Sequence, residues 1–394
     1  MEQEHETILI TGSNGYLGYA IAERLGSEFN VVGFDRRAPS HPPPSAECLY
    51  VDLTSEPSLR RGLEAIRERH GPRLASVIHL AAYYDFTGAP SPLYEKVTVG
   101  GTRKLLRLLR ESGLVSEQFV FASTMLVHSP TAPGRPINED WPLEPKWAYP
   151  QSKVRTEKLI RDERGEIPAV VLRIAGVYDD FGHSAPLPRQ VQRIFERDPT
   201  AYLFPGDLSR GQAMVHLADV VELYVRIVEH RAGLPSELTL EVGEPETLSY
   251  DEMQTSLGRL IHREAWTTRP IPKSAAKLGA WLQDNLPLGR APFIKPWMIE
   301  LADDHYELDI TRARALLGWE PKHRLRQTLP MIVAALKADP WTWYRENELA
   351  MPTWLAELTP ESSPREQIPW QTLEELREMV RAAGSRAGEL WAAP

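Results

Sequence analysis

A tyrosine and a lysine at helical spacing, Tyr149 and Lys153, are the strongest candidates for chemistry in this sequence. Residues four positions apart on a helix project from one face, within contact distance. A free tyrosine has a pKa of about 10 and is a poor base near neutral pH. A neighbouring ammonium favours the phenolate and lowers that pKa. The pair is therefore suited to proton transfer, with Tyr149 carrying the proton and Lys153 tuning it.

Pro150 determines where the helix that carries this pair must begin. Proline has no N–H to donate and fits only the first turn of a helix. We therefore predict a helix that starts within about two residues of Trp147, because Pro150 cannot lie deeper in it. Tyr149 then lies in the first turn, where the positive end of the helix dipole also favours a phenolate.

A glycine-rich turn near the N terminus predicts a binding site. The apolar run 7–11 is typical of a buried strand, and Gly12, Gly15 and Gly18 follow it before a helical pattern. In such a unit the glycines permit a tight turn, backbone approach to a pyrophosphate and close helix packing. The free N–H groups of the helix then face the phosphates. The residues expected to contact a dinucleotide here are Gly12, Asn14, Gly15, Tyr16, Leu17 and Gly18.

Asp35 ends the second predicted strand, 30–34, and its carboxylate can accept hydrogen bonds from the adenosine ribose. A 2′-phosphate there would meet like charge, which favours NAD over NADP. Arg36 and Arg37 follow directly and act in the opposite direction, because a guanidinium can grip that phosphate. Arginines on a mobile loop lose entropy when they become ordered. We therefore predict NAD, with NADP as the alternative, and place Asp35 and Arg36 at the adenosine.

Strands and helices alternate along the first half of the chain. Strands are predicted at 48–51, 76–82 and 118–122, and helices at 58–69 and 93–111. This alternation is typical of an α/β fold with a doubly wound parallel Rossmann sheet, whose ligands bind at the carboxyl ends of the strands. The fourth strand ends in Leu80, Ala81 and Ala82, where small side chains allow the backbone to approach a nicotinamide.

Several motifs, in order, resemble those of extended short-chain dehydrogenases/reductases, the NAD-dependent epimerase/dehydratase family, over roughly residues 7–335. Thr11 and the three glycines resemble the family's T-G-x-x-G-x-x-G, and Tyr149 lies about 25 residues after the fifth strand, where the family places it. Further matches are Leu172-Arg173, Val177-Tyr178, Val215 to Asp219, Asp309, Leu317 to Trp319, and Pro321.

The resemblance implies a catalytic set of Thr124, Tyr149 and Lys153. Thr124 aligns with the hydroxyl residue that orients the substrate oxygen in the family. In the same family Lys153 would also hold the ribose of the cofactor, so Tyr149 and Lys153 count as cofactor-binding residues too.

The resemblance also implies supporting residues around the cofactor. Asp52 and Leu53 lie where the family holds the adenine amino group, although a helix cap at Asp52 is the alternative reading of the sequence. Thr98 replaces the asparagine of the family's N-V-x-G-T and is expected at the cofactor. His79 matches H-x-A-A and is expected to be structural.

Departures from the family pattern concern the substrate. Met125 and Leu126 occupy the positions of the Asp-Glu pair that sugar-nucleotide dehydratases use for proton removal and water loss. Gly176 replaces an asparagine that meets the substrate diphosphate in sugar-nucleotide enzymes. Two acids, Asp179 and Asp180, follow where those enzymes carry Gly-Pro.

A phosphate-binding arginine of those enzymes is replaced by Gln212, although Arg210 lies nearby and is a candidate substitute. Together these losses favour a substrate other than a nucleotide sugar. An apolar or aromatic pocket is expected instead, formed by Tyr84, Phe86, Met125, Leu126 and Gly176.

The bulk properties of the 394-residue chain limit its class. A hydrophobic content of 42% supports a large core, and a net charge of −9 argues against nucleic-acid or anionic membrane partners. The single cysteine, Cys48, allows no internal disulfide, and no metal-site spacing occurs. No apolar run reaches transmembrane length. We expect a cytoplasmic protein without a metal.

Three regions are predicted along the chain. Residues 1–180 form the Rossmann domain, to which 216–243 returns, with a helix at 217–229 and a strand at 238–242. Residues 181–335 form a smaller, mostly helical substrate domain, with helices at 248–261 and 292–317. Residues 336–394 form a tryptophan- and proline-rich extension that is expected to pack on the body, with a lid or a partner-docking surface as the alternatives. Its aromatic residues include Trp341, Trp343, Tyr344, Trp354, Trp370 and Trp391.

The sequence thus predicts an NAD(P)-dependent oxidoreductase that interconverts a hydroxyl and a ketone on a small apolar or aromatic substrate by hydride transfer. A nucleotide-sugar epimerase or dehydratase is the first alternative, and a non-catalytic dinucleotide-sensing protein is the second. Helix 93–111 and the helix after Tyr149 are apolar on several faces, and relatives pair them, so a homodimer is expected.

Overall fold

The computed structural model of the protein describes residues 5–37, 43–85, 88–184, 186–285 and 296–357. Its strands are β1 (Thr7–Thr11), β2 (Asn30–Asp35), β3 (Ala46–Tyr50), β4 (Arg73–Leu74), β5 (Ser76–His79), β6 (Val115–Ser116), β7 (Phe119–Thr124), β8 (Ala169–Ile174), β9 (Gly176–Tyr178), β10 (Leu203–Pro205), β11 (Met214–His216), β12 (Glu237–Val242) and β13 (Arg269–Ile271). Its helices are α1 (Tyr16–Leu25), α2 (Glu56–His70), α3 (Gly100–Glu111), α4 (Ala148–Glu163), α5 (Leu187–Phe195), α6 (Leu217–Glu229), α7 (Tyr250–His262), α8 (Lys273–Asn285), α9 (Pro296–Glu300), α10 (Thr311–Leu317), α11 (Leu325–Ala338), α12 (Pro340–Glu346) and α13 (Thr353–Glu357). A π-helical stretch, Tyr94–Val99, leads into α3.

Within the described residues, the main sheet is parallel and has seven strands in the order β12-β8-β7-β5-β1-β2-β3. The chain runs from β1 toward β3 in one direction and from β5 toward β12 in the other. The reversal between β1 and β5 places a crevice at their carboxyl ends, where ligands bind in such sheets. The predicted α/β fold with a doubly wound parallel sheet is confirmed.

Both faces of the sheet are covered by helices. Side chains of a strand alternate between faces. Accordingly, Ile8 and Ile10 pack with residues of α1 and α6, whereas Leu9 packs with residues of α2, α3 and α4. The carboxyl edge of the sheet is therefore left for the site.

A second hydrophobic core contains residues of α5, α7, α11 and α12, and lies beyond β9. Trp343 and Tyr344 are fully buried in it, and the indole of Trp343 donates to the carbonyl of Phe181 at 2.9 Å. The described part of the tryptophan-rich tail, up to residue 357, therefore packs on the body. Trp370 and Trp391 lie outside the described residues.

The single helix predicted over 292–317 is wrong for the part that the structure describes. α9 ends at Glu300 and α10 begins at Thr311. The residues between them make isolated β-bridges with three other segments, through His305, Tyr306 and Leu308. Backbone groups that bond to neighbouring segments in this way cannot also form helical hydrogen bonds.

The apolar faces of α3 are used inside the chain. Leu105, Leu106, Leu108 and Leu109 are at most 1% exposed. The exposed positions of α3 and α4 include Arg103, Arg155 and Lys158. The reason given for a homodimer, apolar surface left over on these two helices, is therefore wrong.

In the part of the chain that the structure describes, no helix is long and apolar enough to cross a membrane. No group of three or more His, Cys, Asp or Glu side chains there is placed to hold a metal ion.

Candidate active site

The turn after β1 is shaped by contacts that only glycine tolerates. Gly12 has a φ of +75°, and its N–H donates to the carbonyl of Phe34 at 2.8 Å. A Cβ on Gly18 would lie 2.1 Å from the Gly12 carbonyl oxygen, so α1 packs closely against the turn. Gly15 caps α1, and the free N–H groups of the first helical turn begin at Tyr16. This backbone cradle at the positive end of a helix fits a pyrophosphate.

The Asp35 carboxylate is held beside this turn by two backbone hydrogen bonds. Its Oδ2 accepts from the N–H of Asn14 at 3.1 Å, and its Oδ1 accepts from the N–H of Arg37 at 2.9 Å. The Asn14 side chain donates to the Arg37 carbonyl at 2.6 Å and closes the loop. The side chain of Arg36 is exposed. A negative charge is therefore fixed at the end of β2, while the arginine beside it reaches into solvent.

Asp52 does not cap α2, which was the alternative explanation for it. Ser55 is the cap, and its hydroxyl accepts a backbone N–H from the first turn of the helix. The Asp52 Oδ1 accepts from the N–H of Thr54 at 2.8 Å and so shapes the turn before α2. Leu53 is buried, and a Cβ on Gly101 would lie 3.2 Å from its Cβ. Asp52 and Leu53 thus lie between β3 and α3.

The edge of β5 is completed by a side chain. The strand ends at His79, earlier than the predicted 76–82. The N–H of Leu80 donates to the Thr11 carbonyl at 3.1 Å, and the N–H of Ala81 donates to the Thr11 hydroxyl at 3.3 Å. The N–H of Ala81 thus bonds to a side-chain hydroxyl and not to a backbone carbonyl of β1. The hydrogen-bonding pattern of the sheet therefore ends here.

The side chains of His79 and Thr98 hold the chain in place at the end of β5 and in the loop after it. The buried His79 ring lies 2.7 Å from the Thr11 hydroxyl through Nδ1 and 2.8 Å from the Thr102 hydroxyl through Nε2. Burial lowers the pKa of His79 to about 3, so the ring is neutral and structural, as expected. The Thr98 hydroxyl accepts from the N–H of Tyr83 at 3.0 Å. Thr98 therefore fixes the loop that follows the edge.

α4 begins at Ala148, directly after Trp147, and Pro150 lies in its first turn. The predicted start of this helix is confirmed. The N–H that proline lacks is one of the four that a helix N terminus leaves unbonded within the helix. Proline therefore fits here without weakening the helix.

The three side chains of the predicted catalytic set come together at the carboxyl end of β7. The Thr124 side chain is near enough to the Tyr149 phenol to lower its pKa. The Lys153 Nζ lies 5.6 Å from the centre of the Tyr149 ring and donates to the Ala122 carbonyl at 2.6 Å. Thr124 at the end of β7 therefore lies close to Tyr149 and Lys153 on one face of α4.

Burial dominates the electrostatics of this set. Burial raises the pKa of Tyr149 above its ordinary value, and Thr124 offsets only part of that rise. Burial lowers the pKa of Lys153 to about 8, although Glu157 acts in the opposite direction. Among the protein groups, desolvation therefore sets the direction of the Tyr149 pKa. The expected fall of that pKa depends on the positively charged nicotinamide as well as on Lys153, so it stays a prediction for the complex with the cofactor.

Aromatic side chains surround Tyr149. The ring centres of Tyr84 and Trp147 lie 4.8 Å and 5.4 Å from that of Tyr149, and Trp297 lies 5.2 Å from Trp147. A Cβ on Gly88 would lie 2.3 Å from Trp297, so this indole packs directly on the backbone of the opposite loop. We call Tyr84, Trp147 and Trp297 the aromatic wall. Sequence reasoning missed Trp297, because only the fold brings α9 to this place.

The other residues expected in the pocket have different surroundings. Met125 is 4% exposed and belongs to the hydrophobic core, whereas Leu126 is half-buried at its edge. A Cβ on Gly176 would lie 2.6 Å from the Met214 sulfur, so a larger residue at 176 would clash with Met214. Met125 is thus a core residue rather than a pocket surface. Phe86 lies outside the described residues.

Arg210, the candidate phosphate ligand, and Gln212, which replaces the arginine of the family, are both hydrogen-bonded to other parts of the chain. Arg210 pairs with Asp207 at 3.1 Å and donates to the Thr131 carbonyl at 2.8 Å. Gln212 donates to the Asp304 carbonyl at 2.7 Å. The Arg210 Nε and Nη1 are therefore both engaged by protein oxygens.

A buried ionic network lies under the catalytic set and was not foreseen. Arg173 donates to Glu157 at 2.8 Å, and the two residues are 4% and 5% exposed. Ser123 also donates to Glu157. Behind them, Glu241 lies 2.8 Å from the His128 Nε2 and 3.6 Å from an Arg173 nitrogen. The network joins β7, β8 and β12 to α4 one turn beyond Lys153.

Comparison with known proteins decides the family. A model of the NAD dependent epimerase/dehydratase family matches residues 8–243. This chain belongs to that family. Members of the family are NAD-dependent, and the glycine turn with its adjacent Asp35 fits that cofactor.

Relatives within the epimerase/dehydratase family differ in substrate. The chain is 28% identical to human 3 beta-hydroxysteroid dehydrogenase type 7 over 344 residues, which cover 79% of this chain and 90% of that enzyme. It is 25% identical to UDP-glucose 4-epimerase of Streptomyces lividans over 361 residues, 85% of this chain and 95% of that enzyme. The structure of UDP-glucuronic acid 4-epimerase from Bacillus cereus in complex with UDP-glucuronic acid and NAD superimposes with a TM-score of 0.63, at 19% identity, over 84% of this chain and 99% of that one.

We expect this epimerase/dehydratase family member to bind NAD about 10-fold more tightly than NADP, a difference of about 1.4 kcal/mol. The fixed Asp35 carboxylate would repel a 2′-phosphate, whereas Arg36 must lose entropy to grip it. Calorimetric titration with both cofactors measures the ratio. Asp35→Asn should reduce the ratio of the NAD affinity to the NADP affinity, whereas Arg36→Ala should not reduce it. Tighter binding of NADP by the parent protein would mean that the arginines dominate.

Proposed function

We propose that the protein is an NAD-dependent dehydrogenase that interconverts a hydroxyl and a ketone on an apolar, ring-containing substrate. The observation that carries the proposal is the aromatic wall beside Tyr149. Aromatic side chains pack favourably against flat apolar rings. The human relative is named a hydroxysteroid dehydrogenase, so a fused-ring secondary alcohol is the natural first substrate to test.

In this proposal Tyr149 and Thr124 handle the substrate oxygen. Thr124 is near enough to the Tyr149 phenol to lower its pKa, so both side chains can meet one oxygen atom. During oxidation Tyr149 takes the hydroxyl proton while Thr124 orients the oxygen. NAD, when bound, accepts the hydride from the adjacent carbon. Lys153, whose Nζ lies 5.6 Å from the Tyr149 ring centre, stabilises the phenolate that burial disfavours.

The first alternative, a nucleotide-sugar epimerase, would use the same three residues. Its support is the likeness to UDP-glucose 4-epimerases. Against it, Arg210 is paired with Asp207, and Gln212 is bonded to the Asp304 backbone. The one cation at these positions is therefore already paired with a carboxylate, and Gln212 carries no charge for a diphosphate.

A cofactor-linked panel distinguishes the two reactions. Purified protein with NAD is given cyclohexanol, a decalinol, a 3β-hydroxysteroid and UDP-glucose, and NADH formation and product identity are followed. We expect NADH to accumulate with the ring alcohols and not with UDP-glucose. Conversion of UDP-glucose to UDP-galactose without net NADH would establish the epimerase instead. Binding of NAD without reaction on any compound would favour the dinucleotide-sensing protein.

The aromatic wall can be tested on the best alcohol of that panel. Trp297→Ala removes an indole that packs next to Trp147, and should lower kcat/KM about 10-fold for a multi-ring alcohol. Its matched control is Trp281→Ala on α8, an indole that is 54% exposed, which should change kcat/KM little. Equal effects of the two substitutions would show that the wall does not contact the substrate.

Two further expectations stay predictions. A homodimer is expected because relatives pair the helices that correspond to α3 and α4 between subunits. The exposed positions of these two helices carry charged side chains such as Arg103, Arg155 and Lys158. A cytoplasmic location is likewise a prediction.

A further inference from the structure

An ion pair joins the two segments that carry the indoles of the aromatic wall. The Lys146 ammonium donates to both carboxylate oxygens of Asp304, at 2.9 Å each. The two side chains are 26% and 12% exposed, so the pair is partly shielded from water. Lys146 directly precedes Trp147, the residue that caps α4, and Asp304 lies in the segment that follows Trp297 and α9. The pair therefore ties one half of the wall to the other.

The chain between Trp297 and Asp304 is a series of hydrogen-bonded turns. The N–H of Leu301 donates to the Met298 carbonyl at 3.1 Å, and the N–H of Asp304 donates to the Leu301 carbonyl at 3.1 Å. Ile299, between them, is 2% exposed. Because backbone hydrogen bonds connect these turns, the position of Asp304 restricts the position of Trp297.

A second contact holds Asp304 through its backbone. The Gln212 side chain donates to the Asp304 carbonyl at 2.7 Å. Gln212 is the residue that replaces the phosphate-binding arginine of sugar-nucleotide enzymes. In this chain the side chain at that position holds the segment after α9.

The neighbouring acid, Asp303, has different partners. It pairs with Lys273 of α8, and its Oδ2 accepts from the N–H of Asp207 at 3.3 Å. Asp303 thus fixes the segment to α8 and to the turn after β10, whereas Asp304 fixes it to the residue before Trp147. Of the two acids, Asp304 is the one that reaches the wall.

We propose that Lys146 and Asp304 are positioning residues that hold Trp297 against Trp147 and thereby set the affinity of the pocket for ring-containing substrates. Both act through the wall and take no part in the proton or hydride transfer. The affinity part rests on the function proposed above, because it assigns the wall to substrate binding. The positioning part can be measured without any substrate.

Lys146→Met tests the positioning, because it removes the ammonium and keeps a side chain of similar length. Hydrogen–deuterium exchange of the cofactor-free protein, followed by mass spectrometry, reports on the turns of residues 298–304. Their amides should exchange about 5-fold faster than in the parent, which is the effect of losing a partly shielded ion pair. Asp304→Asn should act similarly, and the double variant should exceed neither, because both substitutions break one pair.

The affinity part is tested on the best multi-ring alcohol of the panel. Lys146→Met should raise KM about 5-fold and change kcat less than about 2-fold, since substrate packing is weakened while the catalytic set is unchanged. In the Trp297→Ala background it should raise KM no further, because Lys146 acts through Trp297.

The matched control is Lys158→Met on α4, whose ammonium pairs with Asp162 at 2.7 Å with side chains 73% and 52% exposed. It should leave both the exchange at 298–304 and KM at the parent values. Parent-like exchange in Lys146→Met would overturn the proposal whatever the substrate is. A parent-like KM in Lys146→Met would also overturn it if Trp297→Ala raises KM. If exchange rises but neither substitution changes KM, the wall does not bind substrate, so the proposed function fails and the positioning of Trp297 is retained.

Discussion

Replacing Tyr149 by phenylalanine should reduce turnover by at least ~10²-fold while NAD binding stays nearly unchanged. Phenylalanine keeps the ring between Tyr84 and Trp147 but removes the hydroxyl that would exchange a proton with the substrate. The neighbouring Thr124 hydroxyl is not ionisable near neutral pH and so cannot replace it. Turnover of the best panel alcohol and calorimetric binding of NAD are the two measurements.

The matched control for Tyr149→Phe is Tyr84→Phe, which removes a hydroxyl from the neighbouring ring 4.8 Å away. It should lose far less turnover, because Tyr84 belongs to the wall and carries no proton in the proposed step. If Tyr149→Phe turned over at the parent rate, the proton would have to travel by another group. An equal loss in both variants would instead indicate that ring packing, and not the hydroxyl, was disturbed.

Replacing Glu157 by glutamine should destabilise the fold by about 3–5 kcal/mol, the usual effect of removing one partner of a buried ion pair. The Arg173 guanidinium is 4% exposed and would be left without its carboxylate. Glu157 also accepts a hydrogen bond from Ser123, the residue before Thr124. The melting temperature measures the effect and should fall by at least ~5 °C.

An exposed pair provides the control for that stability effect. Arg24 in α1 and Glu28 just after it form an ion pair at 2.6 Å, and their side chains are 41% and 46% exposed. Glu28→Gln should therefore change stability by less than ~1 kcal/mol. Equal melting temperatures for Glu157→Gln and the parent would mean that Arg173 finds another partner, such as Glu241 at 3.6 Å.

The Glu157 network also links stability to the catalytic set. Glu157 lies one helical turn after Lys153, and Ser123 adjoins Thr124. The same buried contacts that hold α4 on the sheet therefore also fix the positions of Thr124 and Tyr149 relative to each other. Loosening of the network would change their geometry as well as the free energy of unfolding.

The sequence alone determined the features that depend on neighbouring residues. The glycine turn, the acid at the end of β2 and the start of α4 next to Trp147 were all predicted correctly from residue type and spacing. Strand and helix geometry fixes where side chains at such spacings point, and glycine and proline restrict the backbone locally. The family and its cofactor followed from the order of these motifs.

Only the tertiary structure decided which distant side chains meet. Trp297 reaches the wall from α9, the His183 ring contacts the Tyr16 ring, and Arg210 is held by Asp207 and a distant carbonyl. The spacing along the chain contains no information on these contacts, because they arise when separate elements pack against one sheet.

Burial had the same dependence on the tertiary structure. The leucines of α3 look like surplus apolar surface in the sequence but are at most 1% exposed inside one chain. Lys153 is four residues from Tyr149 in sequence, yet desolvation and not that ammonium sets the direction of the tyrosine pKa among the protein groups. Desolvation depends on everything packed around a group, whereas spacing reports only on its nearest neighbours along the chain.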